Sequence, residues 1–170
     1  MLSPRLPSRQ HRLVNTRQPS PKAQFSALLS RFSPESIALG KKCLAKLGRA
    51  IPGATQIVYE YKHSVVVSVS PSDKGYEGIL ALSIYPREVR LYFQAGKALP
   101  DPEGLLQGAA KVRFVVIEKA SDLDKKEIQA LLKAAIKLSG VAIPRTRESR
   151  MIIQSVQKDK KKKAKTSARA

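Results

Sequence analysis

Between residues 63 and 95 one pattern returns three times: an apolar side chain at every second position. Val65, Val67 and Val69 are set among Ser64, Ser68 and Ser70; Leu80, Leu82 and Ile84 repeat the spacing, and Val89, Leu91 and Phe93 repeat it again. A two-residue period puts alternate side chains on opposite faces of a strand, so each run reads as a strand with one wet face. Pro71-Ser72-Asp73-Lys74-Gly75 and Pro86-Arg87 supply turn chemistry between the runs. Links this short join antiparallel neighbours, because a parallel crossover needs about a dozen residues or more.

Two further runs extend the sheet. The strand candidates are residues 56–61, 63–70, 78–85, 88–95 and 111–118. Residues 151–156 either add a short strand or dock on the surface. Helices flank this set. Phe25, Leu28 and Leu29 predict a short helix over 23–31. Ser33-Pro34-Glu35 predicts a fresh start, with Ser33 as N-cap, Pro34 at the first helical position and Glu35 in the first turn. That helix runs to about Arg49 and is ended by Pro52-Gly53. Ile128, Leu131, Leu132, Ala135 and Ile136 mark a last helix over 124–138, with Asp124 and Glu127 as a capping-box-like start and Gly140 as the stop. The expected fold class is α+β: about five antiparallel strands, with two N-terminal helices and one C-terminal helix on one face. Val65, Val67, Leu80, Leu82, Leu91, Phe93, Phe114, Leu131 and Ile136 are the expected core.

Charge divides the chain further. Of 170 residues, 32 are Lys or Arg and 13 are Asp or Glu, a net charge of +19. Residues 1–22 carry Arg5, Arg9, Arg12, Arg17 and Lys22 with no acid, and residues 145–170 carry ten basic side chains against Glu148 and Asp159. The expected organisation is a disordered basic segment over 1–22, one folded domain over 23–157 and a lysine-rich tail over 158–170. Such a field attracts polyanions without specifying one. Lys42, Lys46 and Arg49 on one helix stripe, with Lys160, Lys161, Lys162, Lys163 and Lys165 in the tail, are the candidate polyanion contacts. Aromatic interleaving and a recognition-helix motif are both missing, so a nucleic acid would be met through phosphates and without sequence preference. Neither a signal-peptide core nor a membrane-length apolar run is visible, and Cys43 is the sole cysteine. A cytoplasmic protein with no membrane contact is expected.

The connection from Gly96 to Ala110 is long for a link between two strands. Asp101 and Pro102 predict a helical turn that Gly108 ends, while Leu99, Leu105 and Leu106 pin the loop to the domain. A pocket between this loop, Tyr59 and Tyr92 is the candidate ligand site, with Tyr59, Tyr92, Leu99, Asp101 and Leu105 as its residues. The string from Tyr92 through Leu99-Pro-Asp-Pro-Glu-Gly-Leu-Leu-Gln-Gly108 to Val112-Arg113 resembles the YdhG-like family of small bacterial proteins. Ile51-Pro-Gly-Ala-Thr-Gln-Ile-Val-Tyr59, Ser121-Asp-Leu-Asp124 and Ile152 to Val156 fit the same pattern, so the resemblance covers about residues 24–157. It implies a compact α+β fold. Some members look like frataxin, which implies an iron-chaperone role.

The residues weigh against iron. Delivery of a hard cation wants carboxylates crowded on one helix face, whereas the second helix offers Glu35 and then Lys41, Lys42, Lys46 and Arg49. Asp122, Asp124 and Glu127 form the one acidic cluster, and helix capping accounts for their spacing. No metal-ligand spacing, phosphate-binding glycine string or nucleophile–base motif is present, so no catalytic residue, metal or cofactor is expected. The leading expectation is a non-enzymatic domain that binds a small ligand or a protein partner near the 96–110 loop. An accessory nucleic-acid binder acting through basic tails is the alternative, and a frataxin-like iron chaperone is third.

Overall fold

The computed structural model describes residues 18–143 and 148–156. In chain order the elements are α1 (Pro21–Leu29), α2 (Pro34–Ala50), β1 (Thr55–Glu60), β2 (Val65–Ser70), β3 (Leu80–Ile84), β4 (Val89–Phe93), β5 (Arg113–Ile117), α3 (Lys126–Ser139) and β6 (Arg150–Val156). Three short 3-10 turns cover Gly75–Glu77, Gly96–Ala98 and Ala120–Asp124. The lysine-rich tail and the first seventeen residues, with Lys160, Lys161, Lys162, Lys163 and Lys165, lie outside the described residues.

The helices start where local chemistry satisfies their free N–H groups. Ser33 caps α2, its Oγ accepting from the Ser36 N–H at 3.2 Å, with Pro34 as the first helical residue. A parallel device starts α1 two residues earlier than the apolar spacing suggested. Ser20 Oγ accepts from Ala23 N–H at 3.2 Å and Pro21 opens the helix. Gly140 ends α3 in the left-handed conformation, at φ 65°. The start of α3 differs from expectation: Lys125 flanks it without a side-chain cap. Asp122 caps the preceding 3-10 turn, its Oδ2 accepting from the N–H groups of Glu118 at 3.0 Å and Lys119 at 2.9 Å.

Among the described residues the sheet has six strands in the order β5-β4-β3-β2-β1-β6 and is mixed, which corrects the five-stranded antiparallel expectation. Strands β1 to β5 form the antiparallel meander, and β6 adds parallel to β1 with Thr55 opposite Arg150 and Ile57 opposite Ile152. Because β6 protects its outer edge, β1 becomes an interior strand, and Ile57 and Val58 are both fully buried.

Strand register decides which side chains meet. Val58, Val67, Leu82, Leu91 and Val115 lie opposite one another across five strands and point into one core. All three helices pack on this face, contributing Phe25, Leu29, Cys43, Leu44, Leu47, Ile128, Leu131 and Leu132. Burial of each such leucine stabilises the fold by about 1.5–3 kcal/mol. Seven of the nine expected core residues are buried here, and Ile136 packs against the core half-buried. Phe114 does not join them. It is opposite Tyr92, and the row Ile57, Ser68, Ala81, Tyr92 and Phe114 belongs to the other face. Val115 and Ile117 take the core positions of β5 instead. Among the described residues no helix is long and apolar enough to cross a membrane.

Candidate functional site

The 96–110 loop leaves β4 through the 3-10 turn at Gly96. A Cβ there would lie 2.8 Å from the backbone nitrogen of Arg113, so only glycine allows the loop to start against β5. Lys97 N–H then donates to the Lys111 carbonyl at 3.0 Å, and Leu99 inserts into the core. Of the helical turn expected from Asp101 to Gly108 a single turn forms, Gly104 N–H donating to the Asp101 carbonyl at 3.2 Å, and it does not continue to Gly108. The Asp101 carboxylate instead accepts from the Leu105 N–H at 2.9 Å and the Leu106 N–H at 2.8 Å, closing a tight loop with Gly104 at φ 65°.

Past this closure the loop meets the outer edge of β5. Gln107 and Phe114 exchange both backbone hydrogen bonds, at 2.8 and 3.1 Å. Continuing that antiparallel ladder would set Leu105 opposite Val116. It stops, because the Asp101 side chain has already taken the Leu105 N–H. In an antiparallel strand every second residue turns its backbone groups to the same side. Val116 therefore turns its N–H and C=O outward like Phe114, and among the described residues no hydrogen bond outside the sheet takes them.

Where loop and strand diverge a groove of about 470 Å³ opens. Its apolar wall is Leu105, Val115, Val116, Ile117 and Ile128, of which Val116 is 37 % exposed. Carboxylates surround it: Glu103 from the loop, Glu118 after β5, Asp122 from the 3-10 turn and Glu127 from α3. Asp122 is internally committed. The Lys125 ammonium, 2.8 Å away, holds its carboxyl below the usual range, with the Lys119 and Glu118 N–H groups adding to the effect. Lys125 in turn has its pKa raised by Asp122 first, and by Glu118 and Glu127 more weakly. The side chains of Glu103, Glu118 and Glu127 make no hydrogen bond or ion pair among the described residues. The site thus offers an open strand edge, an apolar wall and free carboxylates.

The five residues expected to form a ligand pocket are not gathered at one place. Tyr59 and Tyr92 share the helix-free face of the sheet but stand on β1 and β4, three strand spacings apart, or about 14 Å. Tyr59 donates to Gln154 Oε1 on β6 at 3.3 Å, and its ring end lies against Gly75. Tyr92 belongs to a separate cluster. Its hydroxyl is 3.0 Å from that of Tyr85, its ring centroid is 5.2 Å from that of Phe114, and the Arg90 guanidinium lies over both Tyr85 and Phe114. Burial, then the bond to Tyr92, pushes the Tyr85 hydroxyl up to about 12. Leu99 is in the core, Asp101 shapes the loop, and Leu105 alone lines the groove. Gln107, Val116, Glu103 and Glu118 had no signal in the sequence beyond their nearness to the long loop and to a strand that ends the meander.

The basic stripe on α2 is only partly free. Lys42 and Arg49 are exposed, but Lys46 Nζ lies 2.5 Å from Asp124 Oδ2. That pair lines a second groove of about 370 Å³ between α2 and α3. Asp122, Asp124 and Glu127 consequently turn to different partners, Asp122 to Lys125, Asp124 to Lys46 and Glu127 to the first groove. Among the described residues no group of three or more His, Cys, Asp or Glu side chains is placed to hold a metal ion. No family model, curated protein or solved structure matches this chain.

Proposed function

We propose that this chain is a non-enzymatic, YdhG-like binding domain that receives an extended, basic segment of a protein partner in the groove between the 96–110 loop and β5. One observation carries the reading: the ladder begun by Gln107 and Phe114 is left open at Val116, beside an apolar wall and free carboxylates. An added strand would continue the hydrogen bonds, place alternate side chains on the wall and bring lysine or arginine to Glu103, Glu118 and Glu127. The residues that carry the family resemblance, Leu99 to Gly108, build the loop side of this groove. An octapeptide of alternating lysine and valine, titrated into the full chain, tests the reading. Saturable binding is expected, weakened at least tenfold in the triple variant Glu103→Gln, Glu118→Gln, Glu127→Gln. Absence of saturable binding, or equal binding by the triple variant, overturns it.

A second reading rests on charge. Thirteen of the nineteen surplus positive charges lie in residues 1–22 and 145–170, and α2 exposes Lys42 and Arg49. Contact with a nucleic-acid backbone that neutralises about six phosphates gives a log–log salt slope of about −5. Removal of residues 158–170 is expected to collapse that slope. Duplexes of unrelated sequence are expected to bind alike. A chain that binds neither DNA nor RNA at low salt would end this alternative.

A further inference from the structure

At the opposite edge of the sheet, between α1, α2 and the start of β6, lies a groove with the reverse chemistry. Its volume is about 450 Å³, inside the range of about 300–1,000 Å³ usual for small-molecule sites. Buried Phe25 and Leu44 and half-buried Met151 give it an apolar floor. Lys22, Lys41 and Arg150 stand around it, and among the described residues no Asp or Glu lines it. Arg150 is paired with Asp73, and Lys41 Nζ donates to Ser26 Oγ at 3.1 Å. Lys22 makes no side-chain hydrogen bond or ion pair among the described residues.

The sequence of α2 keeps this space open. Residues 41, 44, 45 and 48 share one stripe of the helix, and two of the four, Ala45 and Gly48, are small. Gly40 earlier in the same helix has a packing reason, since a Cβ there would collide with Ile84. Gly48 has none. It has no positive φ, and among the described residues a Cβ would meet nothing closer than Gln56 Nε2 at 3.5 Å, an ordinary contact. Glycine is the least favourable residue in a helix interior after proline, so a residue with neither steric nor backbone need for it points to room kept for something else. The apolar floor, the ammonium groups of Lys22 and Lys41, which meet no carboxylate among the described residues, and the volume together point to an anionic amphiphile.

We propose that this groove binds a medium-chain fatty carboxylate, its head group between Lys22 and Lys41 and its chain along Phe25, Leu44 and Met151. The chain has two methionines, Met1 and Met151, so methyl-carbon labelling of methionine in the full chain gives one signal inside the groove and one far from it in sequence. On titration with decanoate, the Met151 methyl is expected to shift saturably at one equivalent while Met1 does not. Uncharged decanol is expected to bind at least tenfold more weakly, and the double variant Lys22→Ala, Lys41→Ala to lose at least tenfold in decanoate affinity. Gly48→Leu is expected to abolish the Met151 shift while the thermal midpoint rises, which separates a filled groove from an unfolded chain. The proposal is overturned if Met151 does not shift, if Met1 shifts in step with it, if decanol binds equally, or if Gly48→Leu still binds. It also fails if an acidic amphipathic peptide moves Met151 and decanoate does not, because the occupant is then a protein. This groove shares no residue with the one beside the loop, so either proposal can fail alone.

Discussion

Gly40 on α2 lies hard against Ile84 on β3, in the space that a Cβ would occupy. Ile84 is fully buried and cannot swing away, so this contact sets how closely the helix approaches the sheet. Gly40→Ala is therefore expected to destabilise the fold by about 1–3 kcal/mol through overpacking, although alanine favours the helix by about 1 kcal/mol. Gly48→Ala, eight residues on in the same helix, is expected to stabilise by about 0.5–1 kcal/mol. Denaturant titration of the two variants, with opposite signs expected, tests the assignment; equal signs would refute it.

Leu131 sits on the buried stripe of α3 at 2 % exposure, within the one core that the helices share with the sheet. Leu131→Ala is expected to cost about 2–5 kcal/mol, the transfer loss plus the cavity left behind. A midpoint shift below about 0.5 kcal/mol, the range of surface substitutions, would place this helix face in solvent.

Asp122 links acidity to stability. Its carboxyl is held below the usual range by Lys125 first and by two backbone N–H groups, so the folded state favours the ionised form. That contribution is present above the unfolded carboxyl pKa of about 3.9 and is lost as the pH falls through the lower folded value. Asp122→Ala is expected to cost about 0.5–2 kcal/mol at neutral pH, as the loss of a cap does. The gap between the two proteins should narrow on acidification below about pH 4. A gap independent of pH would mean that the charge of Asp122 contributes nothing.

Cys43 is fully buried, and burial, ahead of the nearby Asp122 charge, pushes its thiol up to about 11. A thiol reagent at pH 8 is expected to modify the native chain only as fast as it unfolds, because the thiolate is the reactive form. The sign at alkaline pH follows from the same shift. An unfolded cysteine ionises near 8.5, so the contribution of Cys43 to stability is full below that value and falls as the pH rises toward about 11. Stoichiometric labelling in native buffer within minutes would contradict this placement.

The sequence by itself determined what depends on neighbours in the chain. The two-residue spacing of Val65, Leu80 and Val89 and their partners specified β2, β3 and β4, and the short turns between them specified their antiparallel order. Ser33-Pro34 marked the start of α2 and Gly140 the end of α3, since a cap or a left-handed residue acts within one turn. Tertiary structure alone decided the rest. The pairing of β6 with β1 joins residues about 95 positions apart, and no local period announces a partner at that distance. Phe114 faces away from the core because β5 enters the sheet in the register that buries Val115 and Ile117. A one-residue shift would exchange the two faces. The candidate groove depends on a competition for a single N–H. Asp101 reaches Leu105 before Val116 can, and that outcome is settled by where three segments meet in space, which their order along the chain does not contain.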